Sequence, residues 1–344
     1  MKSLSSYFQT VLKKNASDLH LIAGKKPSMR LEGKLIHLSE KKLHPKVLKK
    51  AIFSILSPSQ IKKFKRTYDL DFSYSIKNGR FRINLHKSLS GLGLSARYIP
   101  NSIPSIKELR FEPYLKEATK LLDGLVLVTG PTGSGKSTTI SAMIEQINKT
   151  RKAHIITIED PIEFVFKDDK SIIEQREVGA DTPSFASALK HVLRQDPNII
   201  VVGEMRDPET IATVLTAAET GHLVFSTLHT PSAAEAVERI VDVFEGAKQK
   251  QILIQFSSVL RGVISQQLIP GKSGKRVAAR EILVNTPAVS NLIRENNISQ
   301  LYSSIQTGGR HKMISMRNSV KKLLKEKLIT KDIAERRVGR SRKV

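Results

Sequence analysis

The chain of 344 residues contains no cysteine and no tryptophan, and only 5% of it is aromatic. Without cysteine there are no disulfides and no thiolate-held metal or iron–sulfur centre. So few aromatics offer little on which unpaired bases could stack, and no groove-reading motif is present, so no specific nucleic-acid partner is expected. Long apolar runs are missing as well. No segment approaches the roughly 20 apolar residues of a membrane-spanning helix. The stretch Met1–Lys14 lacks the apolar core of a secretory signal. These absences lead to the expectation of a cytoplasmic protein.

Acidic residues are the scarcer charge, 32 Asp and Glu against 57 Lys and Arg, for a formal net charge of +25. The imbalance is not uniform. Residues 1–110 carry a net +17, residues 111–270 a net −5, and residues 271–344 a net +13. A polyanion-binding surface would therefore involve the ends of the chain, while the middle is acidic. The length suits about two domains.

Residues 1–100 read as a small α/β domain. Helices are expected within Met1–Lys14 and Lys41–Leu56, and a strand at Leu19–Ile22. A hairpin is expected from the alternation in Asp69–Ile76 and Phe81–Leu85 around the turn signal Lys77-Asn78-Gly79. Pro100, Pro104 and Pro113 mark a linker over residues 101–116. Gly91-Leu-Gly93 opens a dinucleotide-type pattern but runs toward Pro100 rather than into a helix, and carries nothing.

From residue 117 to residue 270 short apolar runs alternate with helical stretches, which predicts a parallel α/β sheet. The runs are Leu125–Thr129, His154–Glu159, Ile199–Gly203 and Leu223–Leu228. Thr182-Pro183 and Asp207-Pro208 read as helix starts, a capping residue followed by proline at the first helical position. Gly221 reads as a helix stop. Residues 271–335 are expected to be a helical region, with helices at Val289–Arg294 and Ser319–Lys327. Residues 336–344 are expected to be a disordered basic tail.

The chemistry concentrates in the middle region. Gly130-Pro131-Thr132-Gly133-Ser134-Gly135-Lys136-Ser137-Thr138 matches the phosphate-binding loop pattern between an apolar strand and a predicted helix, Thr139–Ile147. Backbone N–H groups of such a loop turn inward around phosphate oxygens. Lys136 would reach the β- and γ-phosphates, and the Ser137 hydroxyl would take one Mg²⁺ position. A carboxylate on a neighbouring strand is needed, and Glu204 after Ile199–Gly203 supplies it, holding Mg²⁺ directly or through water. Glu159, Asp160 and Glu163 cluster where a strand ends at Pro161, and one of them would position the attacking water; spacing does not separate Glu159 from Glu163. His222 and His229 lie at opposite ends of one strand, so a shared metal is excluded. His229 is placed beside the nucleotide and His222 in a structural role. Arg80, Arg82, Arg97, Arg176, Arg194 and Arg239 are the arginines weighed for charge stabilisation across a subunit boundary.

With these residues in view, the chain resembles the secretion-ATPase superfamily of type IV pili and type II secretion, and within it the PilT-type pilus retraction ATPases. Asn15–Leu21 looks like the opening of that family's N-terminal domain. Gly130–Thr138 looks like its Walker A motif, Ile156–Glu163 its Asp box, Ile200–Asp207 its Walker B motif and Thr220–Thr230 its His box. The resemblance implies a PAS-like α/β domain followed by a RecA-like P-loop motor, and a ring hexamer with ATP and Mg²⁺ as cofactors. It implies Glu163 as the water-activating glutamate, Glu204 acting through Mg²⁺, His229 on the γ-phosphate, and Arg176 and Arg194 as ring-contact arginines. Its implied partners are the pilus machinery and an inner-membrane platform protein, with the ring at the inner face of the cytoplasmic membrane. Asn285–Glu295 is similar to the retraction family's C-terminal element but departs at Val289 and Ser290, where Ile and Arg are usual. The absence of cysteine and the short N-terminal region set it apart from extension and secretion relatives, which carry a tetracysteine zinc element. Those relatives, and a DNA translocase of RecA-like fold, are the alternatives.

Overall fold

The computed structural model describes residues 3–31, 33–39, 41–77, 79–99 and 102–340, with side-chain surroundings to Arg337. The chain divides into two units, Met1–Ser102 and Ile103–Val344.

In the first unit α1 (Leu4–Lys14) starts where the Ser3 hydroxyl accepts from the Ser6 amide, and it ends at Asn15 in the left-handed conformation. Its apolar face, Leu4, Tyr7, Phe8 and Val11, recurs every three to four residues and is buried. There follow β1 (Asp18–Ile22), β2 (Ser28–Leu31), β3 (Lys34–His37), α2 (Pro45–Phe53), α3 (Pro58–Thr67), β4 (Asp69–Ile76), β5 (Gly79–Ser88) and β6 (Gly91–Ile99). The six strands make an antiparallel sheet ordered β3-β2-β1-β6-β5-β4. The expected hairpin is β4–β5, paired from Asp69↔His86 to Ile76↔Gly79; Asn78 of its turn, like Pro100, lies outside the described residues. The helix expected over Lys41–Leu56 begins only at Pro45, because proline fixes the first helical residue. Helix α3 was not foreseen. It depends on a capping box between Ser57 and Gln60 and buries only Phe64, too little for a visible apolar stripe.

The second unit runs α4 (Pro113–Ala118), β7 (Gly124–Thr129), α5 (Lys136–Thr150), β8 (His154–Glu159), β9 (Ile172–Glu177), α6 (Phe185–Val192), β10 (Ile199–Val202), α7 (Pro208–Glu219), β11 (Leu223–Leu228), α8 (Ala233–Asp242), α9 (Gly246–Val259), β12 (Leu260–Pro270), β13 (Arg276–Val284), α10 (Pro287–Arg294), α11 (Leu301–Thr307), α12 (Met316–Lys325) and α13 (Lys331–Arg340). Seven strands form one sheet, β13-β12-β7-β11-β10-β8-β9. All pairings are parallel except β12–β13. The apolar runs are continuous because both faces of the sheet are covered. Leu125 and Leu127 pack into one core with α6, α7, α8 and α9, whereas Val126 and Val128 pack into the other with α5. Ile200 and Val202 divide from Ile199 and Val201 in the same way. Each such fully buried side chain contributes about 1.5–3 kcal/mol of transfer free energy.

Several expectations are corrected here. Residues 103–116 are not a free linker: Phe111, Tyr114 and Leu115 are buried against the α5 face, with Ile103, Ile106 and Leu109 packed beside them. Residues 276–284 are strand rather than helix, since β13 pairs with β12 along its whole length and closes the sheet edge. Helix α6 begins after Ser184, whose hydroxyl accepts from the Ser187 amide, and not after Thr182; Thr182 is engaged in a bridge to Val178. The expected tail from residue 336 is helical as far as Arg340, and residues 341–344 lie outside the described residues.

Asp207 does cap α7, accepting from both the amide and the hydroxyl of Thr210 at 2.8 and 2.7 Å. Burial pulls its carboxyl upward, but these hydrogen bonds outweigh it and hold the pKa below the ordinary aspartate value. A carboxylate held down in this way stabilises the fold above its unfolded pKa and loses that contribution as the pH falls through the folded value. Asp207→Ala is expected to cost about 1 kcal/mol at pH 7. In urea unfolding series the difference from wild type should shrink in acid; a constant gap would contradict the capping role.

Candidate active site

The loop between β7 and α5 takes its shape from glycines. Gly130, Gly133 and Gly135 have φ of 140°, 79° and 87°, values that side chains rarely tolerate. At Gly130 a Cβ would lie 2.3 Å from the backbone oxygen of Gln266, so the loop is also closed against β12 by contact. Ser134 is buried, and its hydroxyl has no partner. Ser137 and Thr138 stand half-buried on the first turn of α5, with Pro131 and Thr132 exposed on the loop. The helix N-terminus and inward-turned amides suit an anion.

Lys136 is buried, and its ammonium donates to the carbonyl of Gly130 at 2.8 Å. Burial lowers its pKa, opposed by the carboxylates of Glu163 and Glu204. Its Nζ also approaches His229 Nδ1 at 3.5 Å, while His229 Nε2 lies 3.4 Å from Glu204 Oε2. An ammonium has only donors, so a neutral imidazole here accepts at Nδ1 and carries its proton on Nε2, toward the carboxylate. The strand order explains this row of three. The expectation that Glu204 sits on the strand next to the P-loop strand is corrected: β11 lies between β7 and β10. His229, just past the end of β11, therefore stands between Lys136 and Glu204. The other Glu204 oxygen is 2.7 Å from Arg206 Nε.

The two glutamates left open by spacing differ in environment. Glu159 is the inner one, accepting from the Thr157 hydroxyl at 2.7 Å and from Gln175 Nε2 at 3.2 Å. Burial raises its pKa despite those hydrogen bonds. Its second oxygen faces the Glu163 amide at 3.4 Å. Glu163 is exposed, and its carboxylate acts on Lys136.

Not every candidate converges here. Arg176 lies on β9 near the level of Glu159, donating to the Asp181 carbonyl at 3.3 Å, with its Nη1 buried and unpartnered. Arg194 is exposed before the start of β10, at the end of the sheet opposite the P-loop, and the fold does not bring it to this site. His222, at that same far end, bonds the Ala217 carbonyl at 2.9 Å, which fits the structural role expected of it.

Beside the loop, a cavity of about 520 Å³ is lined by Gly135, Thr138 and Thr139, by Phe111 and Glu112, and by Gln266 and Arg280 among others. It is continuous with the phosphate-binding loop and large enough for a nucleoside. Gln266, Gln175, Arg206 and Arg280 were missed in the sequence; the one available signal was the Gln266-Gln267 pair interrupting an apolar stretch. Among the described residues no group of three or more His, Cys, Asp or Glu side chains could hold a metal by itself. A hydroxyl at Ser137 and a carboxylate at Glu204 nevertheless fit Mg²⁺, which binds through one or two protein oxygens plus substrate phosphates.

A parallel sheet with a glycine-rich loop, a buried lysine and a carboxylate two strands away defines a P-loop nucleotide-binding protein. The chain belongs to the Type II/IV secretion system protein family, whose pattern it matches over residues 1–335. It is 46% identical over 323 residues to the type IV pilus retractation ATPase PilT of Pseudomonas aeruginosa, covering 94% of each chain. To a twitching motility protein of Neisseria gonorrhoeae it is 45% identical over 317 residues, 92% of this chain and 85% of that one. Among solved structures it is similar to the pilus retraction motor PilT with bound ADP, at a TM-score of 0.91 and 45% identity over 98% of this chain and 97% of that one.

Proposed function

We propose that the protein is an ATP-hydrolysing motor that powers retraction of type IV pili. The observation that carries this reading is the row Lys136–His229–Glu204 at the mouth of the phosphate-binding loop, in a chain nearly half identical to a retraction ATPase over 94% of its length. Residues 1–102 serve as an N-terminal domain and residues 103–340 as the motor, working as a homo-hexamer on the pilus machinery and its inner-membrane platform.

In this reading the amides of Gly130–Thr138 hold the phosphates, with Lys136 on the β/γ oxygens. Glu163 orients and deprotonates the attacking water, and Glu159 fixes Glu163 through its amide. His229 donates from Nε2 to the γ-phosphate while its Nδ1 accepts from Lys136. Arg176 stabilises charge from a ring contact, and Arg194 does so only from a neighbouring subunit. Mg²⁺ would be held by Ser137 and, through water, by Glu204, and would neutralise charge on the β- and γ-oxygens.

Residues 41–68 contain nine Lys or Arg and no Asp or Glu, with α2 and α3 among them. A surface so basic suits the anionic inner face of the cytoplasmic membrane. Among the described residues no helix is long and apolar enough to cross a membrane.

Deletion of the protein followed by counting of surface pili tests the direction of the motor. Hyperpiliated cells that no longer twitch are expected; bald cells would assign the motor to extension instead.

A further inference from the structure

One buried amide side chain ties the P-loop to β12. Gln266, 2% exposed on β12, donates from Nε2 to the Ser134 carbonyl at 2.6 Å. Its Oε1 accepts from the Thr139 hydroxyl at 2.8 Å and from Arg280 Nε at 2.8 Å. These partners fix which end of the amide is which. Reversing it would set an oxygen against the Ser134 carbonyl and an NH₂ against the guanidinium.

Arg280, directly opposite on β13 and 1% exposed, continues the line. Its Nη1 donates to Glu112 at 3.0 Å, and both terminal nitrogens donate to the Leu109 carbonyl at 3.2–3.3 Å. The guanidinium also lies over the Phe111 ring, 5.4 Å from its centre. A buried guanidinium so fully engaged has one arrangement available to it. The turn that receives it is closed by the amides of Leu109, Arg110 and Phe111, bonded to Ser105, Lys107 and Ile106. That turn belongs to the stretch by which the motor is covalently joined to residues 1–102.

We infer that Gln266, Arg280 and Glu112 form a strut that couples nucleotide at the P-loop to the order of the turn at residues 105–112, with Gln266 as a positioning residue for the P-loop. The strut rests on the reading of the loop as an ATP site and assigns it a route outward. Since Ser134 must be held for the loop amides to point at phosphate, anything that loosens the turn weakens nucleotide binding. By linkage, nucleotide tightens the turn to the same extent.

The test combines ADP titration with hydrogen exchange of the full-length protein. In wild type, saturating ADP is expected to slow exchange of residues 105–112 about tenfold, within the usual range of coupling between sites. Gln266→Met keeps the volume but removes every polar contact. It should bind ADP about 5–20-fold more weakly and, once saturated, lose the added protection. Gln266→Glu keeps the Arg280 contact while opposing the Ser134 carbonyl, so its melting temperature should hold while ADP affinity falls. Glu112→Gln, which neutralises the far partner of Arg280 in the wall of the same cavity, should also weaken ADP and, once saturated, lose the added protection of residues 105–112, which a lost contact with the nucleoside alone would not remove. Full protection by ADP in the Gln266→Met protein, or unchanged ADP affinity in both Gln266→Glu and Glu112→Gln, would overturn the strut alone. A wild-type protein that binds no ADP would overturn the ATP-site reading and the strut with it.

Discussion

The Glu163→Gln variant is expected to hydrolyse ATP about 10²–10⁴-fold more slowly than wild type while still binding nucleotide. Glu159 is the last residue of β8 and Glu163 follows the strand, but one Glu159 oxygen accepts from Thr157 and Gln175 and the other faces the Glu163 amide, so neither is free to take a proton from water. Glu163 is exposed, with its amide resting on Glu159. Glu159→Gln should therefore act indirectly, lowering kcat less than the change at 163. Phosphate release by the purified protein reads both effects. Equal turnover in wild type and Glu163→Gln would remove Glu163 from the catalytic role and leave the base to be found elsewhere.

The second large effect is expected at Lys136. Its ammonium is buried and held to a loop carbonyl, and burial depresses its pKa. The charged form is thus less favoured in the fold than in the unfolded chain, and removing it relieves a desolvation cost. Lys136→Met should accordingly leave the melting temperature unchanged or raised, while hydrolysis falls at least about 10³-fold for want of the cation on the transferring phosphoryl group. Loss of activity accompanied by a lower melting temperature would mean that Lys136 mainly supports the loop.

The contrast between these sites shows what could be read in advance. Strands β7, β8, β10 and β11 were legible because burial on both faces leaves continuous apolar runs. The phosphate-binding loop was legible because its function needs adjacent residues. Strand β9 was not, since Ile172-Ile-Glu-Gln-Arg-Glu177 lies at a sheet edge and is half polar. Strand β13 was hidden by Arg280 and Glu281, charged residues that read as surface and are both buried. Glu281 is sheltered by the amides of Ala233 and Met316, at the starts of two helices. The roles of Glu159 and Glu163 depend on Thr157 and Gln175, partners that only pairing of β8 with β9 brings together. Local spacing carries no information about that pairing. Arg194, which the resemblance implies as a ring-contact arginine, stands at the end of the sheet away from the P-loop, so any role at a nucleotide is one toward a neighbouring subunit.

The strand between the loop and its carboxylate has a geometric consequence. Neighbouring strands lie about 4.8 Å apart, so β7 and β10 are separated by about 9.6 Å. A lysine and a glutamate on adjacent strands could neutralise one another and seal the mouth of the loop. With β11 between them, Lys136 and Glu204 meet only through an imidazole, at contacts of 3.5 and 3.4 Å. The imidazole thereby keeps the mouth of the loop from collapsing into an ion pair of its own.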